Sequence, residues 1–217
     1  MTMDQTDFFN RHSSIKPSTF SILDSEFQEK MSIEAEIRNR LSELQLRRVA
    51  TGYTHEAAVL MPVFEKDGEP HFLLTHRTED VQTHKGQISF PGGMCRDDES
   101  HEATALRETL EEVGIGEEQI EILGRFHDYL SSTEFRVVPF AGYIAGGFTT
   151  IPQIREVAEV LHVPFRTFLD PRLARVEQRL HLGRLVDVYF YSFGPHEIWG
   201  LTARIIKDFL EELRGGA

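Results

Sequence analysis

Residues 107–115 read RETLEEVGI, and this stretch decides how the rest of the chain is understood. Three carboxylates, Glu108, Glu111 and Glu112, stand beside Arg107, with Asp97 and Asp98 a short way upstream. The spacing predicts a helix from about Ser100 to Val113, with Ser100 suited to the N-cap and Gly114 to the C′ stop. At about 100° per residue the three glutamates fall within about 100° of one another on a helical wheel. Ala103, Leu106, Leu110 and Val113 cluster on the opposite side, so one face is expected to anchor the helix and the other to present the acids. A charged outer face is ordinary for an amphipathic helix. Two features count against mere solvation. The acids lie near the helix C-terminus, where the macrodipole disfavours negative charge. Glu108 and Glu112 are also like charges at i, i+4, which weakens a helix by about a few tenths of a kcal/mol. A hard divalent cation, which takes carboxylate and water oxygens, would reverse both effects.

The whole chain sets bounds on such a site. Its 217 residues, 40% of them hydrophobic, can build one sizeable core. The single cysteine, Cys95, excludes an intrachain disulfide and fits a reducing cytoplasm. The start, MTMDQTDFFNRHSS, lacks the basic and apolar regions of a secretory signal. No apolar run approaches the roughly 20 residues that cross a bilayer, so no membrane partner is expected. The formal net charge of −12 argues against nucleic acid, whose binding rests on Lys and Arg neutralising phosphates. An acidic protein that handles an anionic small molecule needs a local reversal of charge, such as a bound cation or a basic pocket.

No repeat or low-complexity segment interrupts the chain. Residues 1–20 are polar with scattered Phe, and residues 25–48 carry Phe27, Met31, Ile37, Leu41, Leu44 and Leu46 at roughly helical spacing. Residues 1–50 therefore form a partly helical N-terminal extension. Three roles stay open for it: capping the sheet, a homodimer contact, or a mobile arm. HEAAVLMPVF (55–64) and PHFLLTHR (70–77) read as strands around a KDG turn. Downstream, IEILGRFHDYL, FRVVPFAGYI and VDVYFYSFG are strand-like. PQIREVAEVLHVPFRTFL suggests a strand or short helix leading into a helix. The last element, WGLTARIIKDFLEELR, is an amphipathic helix, with Trp199 expected to pack at its start. Strands and helices mix without regular βαβ alternation, which favours an α/β fold with a mixed sheet over a doubly wound one.

Read backward from the helix, the chain runs Gly93-x5-Glu99-x7-Arg107-Glu108-Thr109-x-Glu111-Glu112-x-Gly114-Ile115. This resembles the Nudix box, GX5EX7REUXEEXGU, with U a bulky aliphatic residue. The one departure is Thr109 at the first U position, where packing rather than metal binding is at stake. The resemblance implies a Nudix hydrolase: an α/β/α sandwich over residues 51–217 that cleaves a nucleoside diphosphate derivative with Mg²⁺ or Mn²⁺. It makes Glu108 and Glu112 the leading metal ligands and Glu111 a further ligand or the group that activates water. By the same token Arg107 orients the glutamates, Glu99 supports the loop–helix geometry, and the carbonyl of Gly92 completes a metal site. Glu156 and Glu159 lie where such enzymes often place a downstream acid near the metals, with Glu156 the stronger candidate. Cys95 is expected to be a filler in the box loop, because this chemistry uses water as nucleophile.

The region upstream, LLTHRTEDVQTHKGQISFPGG (73–93), is similar to the coenzyme A pyrophosphatase branch, LLTxR[SA]xxxRxxxGxxxFPGG. FRVVPFAGYI, REVAEVLHVPF and IWGLTARII are similar to the same branch, so the likeness covers about residues 56–210. It implies cleavage of coenzyme A to 3′,5′-ADP and 4′-phosphopantetheine. Arg77, His84, Gly86, Gln87 and Phe90 are its substrate-binding candidates, with Lys85 and Arg136 as further basic residues. Thr78 replaces Ser or Ala, Glu134 replaces a frequent Gly, and Gln82 stands where the branch has Arg. Gln cannot supply the charge of a bidentate phosphate contact. That departure keeps open hydrolysis of ADP-ribose, NADH or a nucleotide sugar. A Nudix-fold binding module without turnover is the remaining alternative, and the intact acid set argues against it. The ten histidines show no HxH or HxxxH spacing, so no zinc motif is read.

Overall fold

The computed structural model describes residues 31–78, 86–181 and 183–215. Its order is α1 (Ile33–Glu43), β1 (His55–Lys66), β2 (Glu69–Arg77), β3 (Ile88–Ser89), β4 (Gly92–Met94) and α2 (His101–Val113). There follow β5 (Ile120–Arg125), β6 (Tyr129–Leu130), β7 (Phe135–Ile144), β8 (Val157–Pro164) and α3 (Phe165–Leu169). The chain continues through β9 (Ala174–His181), β10 (Arg184–Phe193), β11 (His196–Trp199) and α4 (Gly200–Leu213).

β1 and β2 form a hairpin whose two central turn residues, Asp67 and Gly68, both have positive φ, as a type I′ turn requires. The hairpin pairs only near its tip, from Val63↔Phe72 to Lys66↔Glu69. Below that the strands part, and residues 88–94 enter the gap. β3 pairs β2 at Thr75↔Ser89, and β4 pairs β1 at Ala58↔Gly93. Hydrogen bonds from Arg77 N to Gln87 O (2.9 Å) and Leu60 N to Pro91 O (2.9 Å) hold the insert. β1 also runs parallel to β7, which pairs antiparallel with β5 and β6, while β8 flanks β2. The sheet is therefore mixed, as the absence of βαβ alternation predicts. β9, β10 and β11 make a second, antiparallel sheet.

Period-two alternation sends side chains of β1 to two cores, one on each face. Ala58, Leu60 and Phe64 join Leu73, Val138, Phe140 and α2 residues Ala105 and Val113. Ala57, Met61 and Val63 join Phe72, Leu74 and Val137, with Ile37 and Leu41 of α1 and Ile205, Ile206 and Phe209 of α4. Helices thus cover both faces of the sheet. α1 starts at an N-cap, Ser32, whose side chain accepts from Ala35 N. It is shorter than the span expected from 25 to 48: residues 25–30 lie outside the described ones, and the chain leaves the helix at Leu44 in extended geometry.

Candidate active site

α2 begins at Ser100, whose hydroxyl accepts from Ala103 N (3.1 Å), and ends at Gly114 in the left-handed conformation. The face it buries is the expected one only in part: Val113 is buried and Leu106 packs against the same core. Ala103 and Leu110 are exposed, while Thr104, Ala105, Thr109, Glu112 and Val113 are buried. The helix is rotated so that small residues meet the sheet, and this carries Glu112 inward to 3% exposure. Thr109, the departure from the aliphatic position, is fully buried; its hydroxyl is satisfied by donating to Ala105 O (2.7 Å) one turn back.

Glu108, Glu111 and Glu112 line a cavity of about 330 Å³ together with Gln153 and Glu156. The loop after β7 brings the last two there: Ile151 N donates to Val113 O (2.8 Å) and Gln153 N to Glu112 O (2.9 Å). Glu156 joins them through a turn in which its N–H donates to Gln153 O (2.9 Å). Gln153 was not legible in the sequence, because nothing in PQIREV marks an amide that the loop folds against the helix end.

A clamp fixes the acids. Arg107 donates to both oxygens of Glu99 (2.8 and 3.0 Å), to Glu108 (2.6 Å) and to Glu111 (3.3 Å). Glu99 also accepts from the Thr104 hydroxyl (2.7 Å) and Arg96 N (3.2 Å), so both its oxygens are used within the protein. Arg96, which sequence reasoning missed, donates to Glu111 at 3.1 Å. Gly93 sits against Glu108: a Cβ there would lie 2.5 Å from the Glu108 carboxyl carbon. Arg77 donates to Glu112 (3.2 Å) and lies 3.7 Å from Glu156, so it enters the acid cluster itself.

Glu112 has the least ordinary environment. Burial pushes its carboxyl up to about 8, opposed by Arg77 and the nearby Gly92 amide and reinforced by Glu108 and Glu156. Its second oxygen, Oε2, is buried without a hydrogen-bond partner. Such an orphaned acceptor, beside the carboxylates of Glu108 and Glu156, fits the all-oxygen donor set of a hard divalent cation, whose charge would hold Glu112 ionised. Arg107 has the opposite setting, with Glu99 raising its already high pKa further.

The same hydrogen bonds make Glu99 a source of acid sensitivity. Chiefly through Arg107, its carboxyl is lowered from 4.5 to about 2. The native state then binds the proton less readily than the unfolded one. The stabilisation is complete above about pH 4.5 and is lost as pH falls toward 2. Urea midpoints measured across that window should fall less steeply with acid in Glu99→Gln than in the wild type.

Other expected positions lie elsewhere. Phe90 is buried in the α4-side core, edge-on to Phe72 at 5.5 Å, and does not face the cavity. The Arg136 guanidinium donates to Asp128 (2.8 Å) and Glu56 (2.9 Å) and does not line the cavity. Glu159 does not line it either and pairs with His196. Gly92 is the exception: it lies on β4, opposite Val59, with its amide beside the Glu112 carboxyl. Gly86 and Gln87 lead into β3, and Gln82, His84 and Lys85 fall outside the described residues. Glu134 occupies a left-handed position (φ 60°) in the turn before β7, which accounts for the frequent Gly there. Trp199 ends β11 and stacks on Phe190 at 5.9 Å. Cys95 is half-buried, and burial raises its thiol, the opposite of an activated nucleophile. Among the described residues no helix is long and apolar enough to cross a membrane.

The fold and the clamp define a class: an α/β scaffold with helices on both faces of a mixed sheet that presents clustered carboxylates in a cavity. Comparison with known proteins gives the family. The NUDIX domain model matches residues 54–181. An uncharacterized Nudix hydrolase of Photorhabdus laumondii, NudL, is 36% identical over 77% of this chain and 89% of its own. The peroxisomal coenzyme A diphosphatase NUDT7 of Mus musculus is 31% identical over 78% of each chain. A solved MutT/nudix family protein from Enterococcus faecalis covers 86% of this chain and 71% of its own, with TM-score 0.48 and 18% identity. The chain belongs to the Nudix family and is a hydrolase of nucleoside diphosphate derivatives. Nudix hydrolases generally use divalent metal ions.

Proposed function

We propose that the protein is a Mg²⁺- or Mn²⁺-dependent coenzyme A diphosphatase that gives 3′,5′-ADP and 4′-phosphopantetheine, or the acyl form from thioesters. One observation carries this reading. The stretch similar to the coenzyme A branch, residues 73–93, brings Arg77 against Glu112 and Glu156 and threads FPGG between β1 and β2. The likeness to a coenzyme A diphosphatase over 78% of both chains supports the same substrate.

Glu108, Glu112 and Glu111 would hold the cation, with the Gly92 carbonyl and Glu156 as further ligands. When bound, the ions neutralise the diphosphate and lower the pKa of a bound water. The chain's own residues do the rest. Arg107 locks the rotamers of Glu108 and Glu111, and Glu99 locks Arg107. Glu111, with about half its side chain exposed, is the acid placed to take a proton from water. Arg77 balances the charge of Glu112 and Glu156 and is a basic group beside the acids for a phosphate. Gly86 and Gln87 hold the backbone beside it, and His84 belongs to the same substrate-side stretch. Residues 51–217 form the catalytic unit, with residues 1–50 as an extension, in a reducing cytoplasm.

Gln82 favours a second reading, in which the same carboxylates serve ADP-ribose, NADH or a nucleotide sugar. A panel of these diphosphates with Mg²⁺ separates the two. The highest kcat/KM is expected on coenzyme A or its thioesters. Turnover of ADP-ribose with none of coenzyme A would remove the first reading, and no turnover on any would remove both.

A further inference from the structure

A second set of ligand-type side chains lies away from the carboxylate cavity. His76 of β2 and Glu159 of β8 face each other as cross-strand partners in the antiparallel ladder. His196, the first residue of β11, reaches them from the smaller sheet: its Nε2 stands 3.1 Å from Glu159 Oε2. The His76 and His196 rings meet edge to face with centroids 5.1 Å apart. One donor atom from each of the three residues lies within 4.8 Å of the others.

We infer that His76, Glu159 and His196 form a site for an imidazole-preferring divalent ion, of which Zn²⁺ is the best fit. Two ring nitrogens and one carboxylate oxygen are a donor set that suits Zn²⁺, whereas Mg²⁺ selects oxygens alone. Around a tetrahedral zinc with bonds near 2.0–2.1 Å, ligand atoms stand roughly 3.3 Å apart. His196 Nε2 and Glu159 Oε2, 3.1 Å apart, already stand near that separation, and the His76 nitrogen, within 4.8 Å of both, must close in by at most about 1.5 Å. Glu159, whose side chain is 52% exposed, has the freedom to supply that movement. The fourth position is left to water.

The placement defines the role. His76 follows Phe72 and Leu74 at period two on β2, and both of those pack in the α4-side core. Arg77, the next residue, turns instead to Glu112 on α2. The histidine site is thus on the other side of the sheet from the carboxylates. An ion there joins β2 and β8 of the large sheet to β11 of the small one, immediately before α4. It acts as a cross-link between the sheets and leaves the hydrolytic water to the carboxylate cavity. Sequence spacing could not reveal it, because its ligands come from three strands far apart in the chain.

Zn²⁺ is titrated into the full chain with Mg²⁺ in excess, following bound metal and the thermal midpoint, with Co²⁺ as an optical probe. The wild type is expected to bind one Zn²⁺ sensitive to these residues, to melt higher with it, and to give the visible band of four-coordinate Co²⁺. His76→Asn and His196→Asn should each weaken binding at least ~100-fold, since even supporting partners of ligands are worth about 10–100-fold. Glu159→Gln, at a half-exposed position, gives a milder variant that keeps the fold and should lose the stabilisation. Glu112→Gln should keep it. A wild type with no such binding, binding unchanged in all three cluster variants, or binding lost with Glu112→Gln would each overturn the assignment.

Discussion

Glu112→Gln is expected to abolish turnover while leaving the fold intact. The amide keeps the shape of the buried side chain and still accepts from Arg77 through its carbonyl oxygen. It removes the charge that a cation would need at the cavity's innermost ligand. A carboxyl pushed up to about 8 is mostly protonated in the metal-free protein at neutral pH, and Gln mimics that form. Metal-free stability should therefore change by less than about 1 kcal/mol, in line with substitutions that create no cavity and strand no new charge. The rate should fall at least ~10³-fold, since losing a single preorganised electrostatic group alone removes about 10²–10³-fold. Phosphate-ester release with Mg²⁺, beside a thermal melt, reads both halves. Near-normal rates would take Glu112 out of the site.

Gly93→Ala should separate activity from folding in a different way. Gly93 has no left-handed φ, so its backbone tolerates a side chain. The obstacle is Glu108, whose carboxylate carbon and Oε1 would lie 2.5 and 2.6 Å from the new Cβ. A flexible carboxylate yields more readily than backbone, so the fold should survive while Glu108 leaves the Arg107 clamp. Misplacing a reacting group by about 1 Å is worth about 10²-fold in rate, and that loss is expected in kcat. Gly92→Ala provides the contrast. Its Cβ would meet the Ala58 carbonyl oxygen at 2.4 Å, so this variant should lose stability first. If Gly93→Ala retained full activity, the close packing of Glu108 on β4 would have no part in catalysis.

Much of this was legible in the sequence, for particular reasons. The type I′ turn at Asp67-Gly68, the caps Ser100 and Gly114, and the amphipathic α4 each carry a local signature. The clustering of Glu108, Glu111 and Glu112 follows from helical geometry alone. The direction in which α2 faces did not. Leu110 is more apolar than Thr104 and Thr109, yet it stays exposed while the smaller residues meet the sheet, and Glu112 goes in with them. β9 and β11 escaped notice because their residues alternate with charges and pack within a second sheet. β3 and β4 are too short to show a period at all. Phe90 and Arg136 illustrate a further limit. A sequence pattern marks their positions, but whether each faces substrate, core or an ion pair depends on neighbours such as Phe72, Asp128 and Glu56 that are distant in the chain.

The most direct measurement is the mass of the products formed when the 217-residue chain meets coenzyme A in Mg²⁺. The expected products are 3′,5′-ADP and 4′-phosphopantetheine in equal amounts, with none formed when the metal is chelated. Intact coenzyme A alongside cleaved ADP-ribose, or the same products formed without divalent metal, would contradict the proposed function.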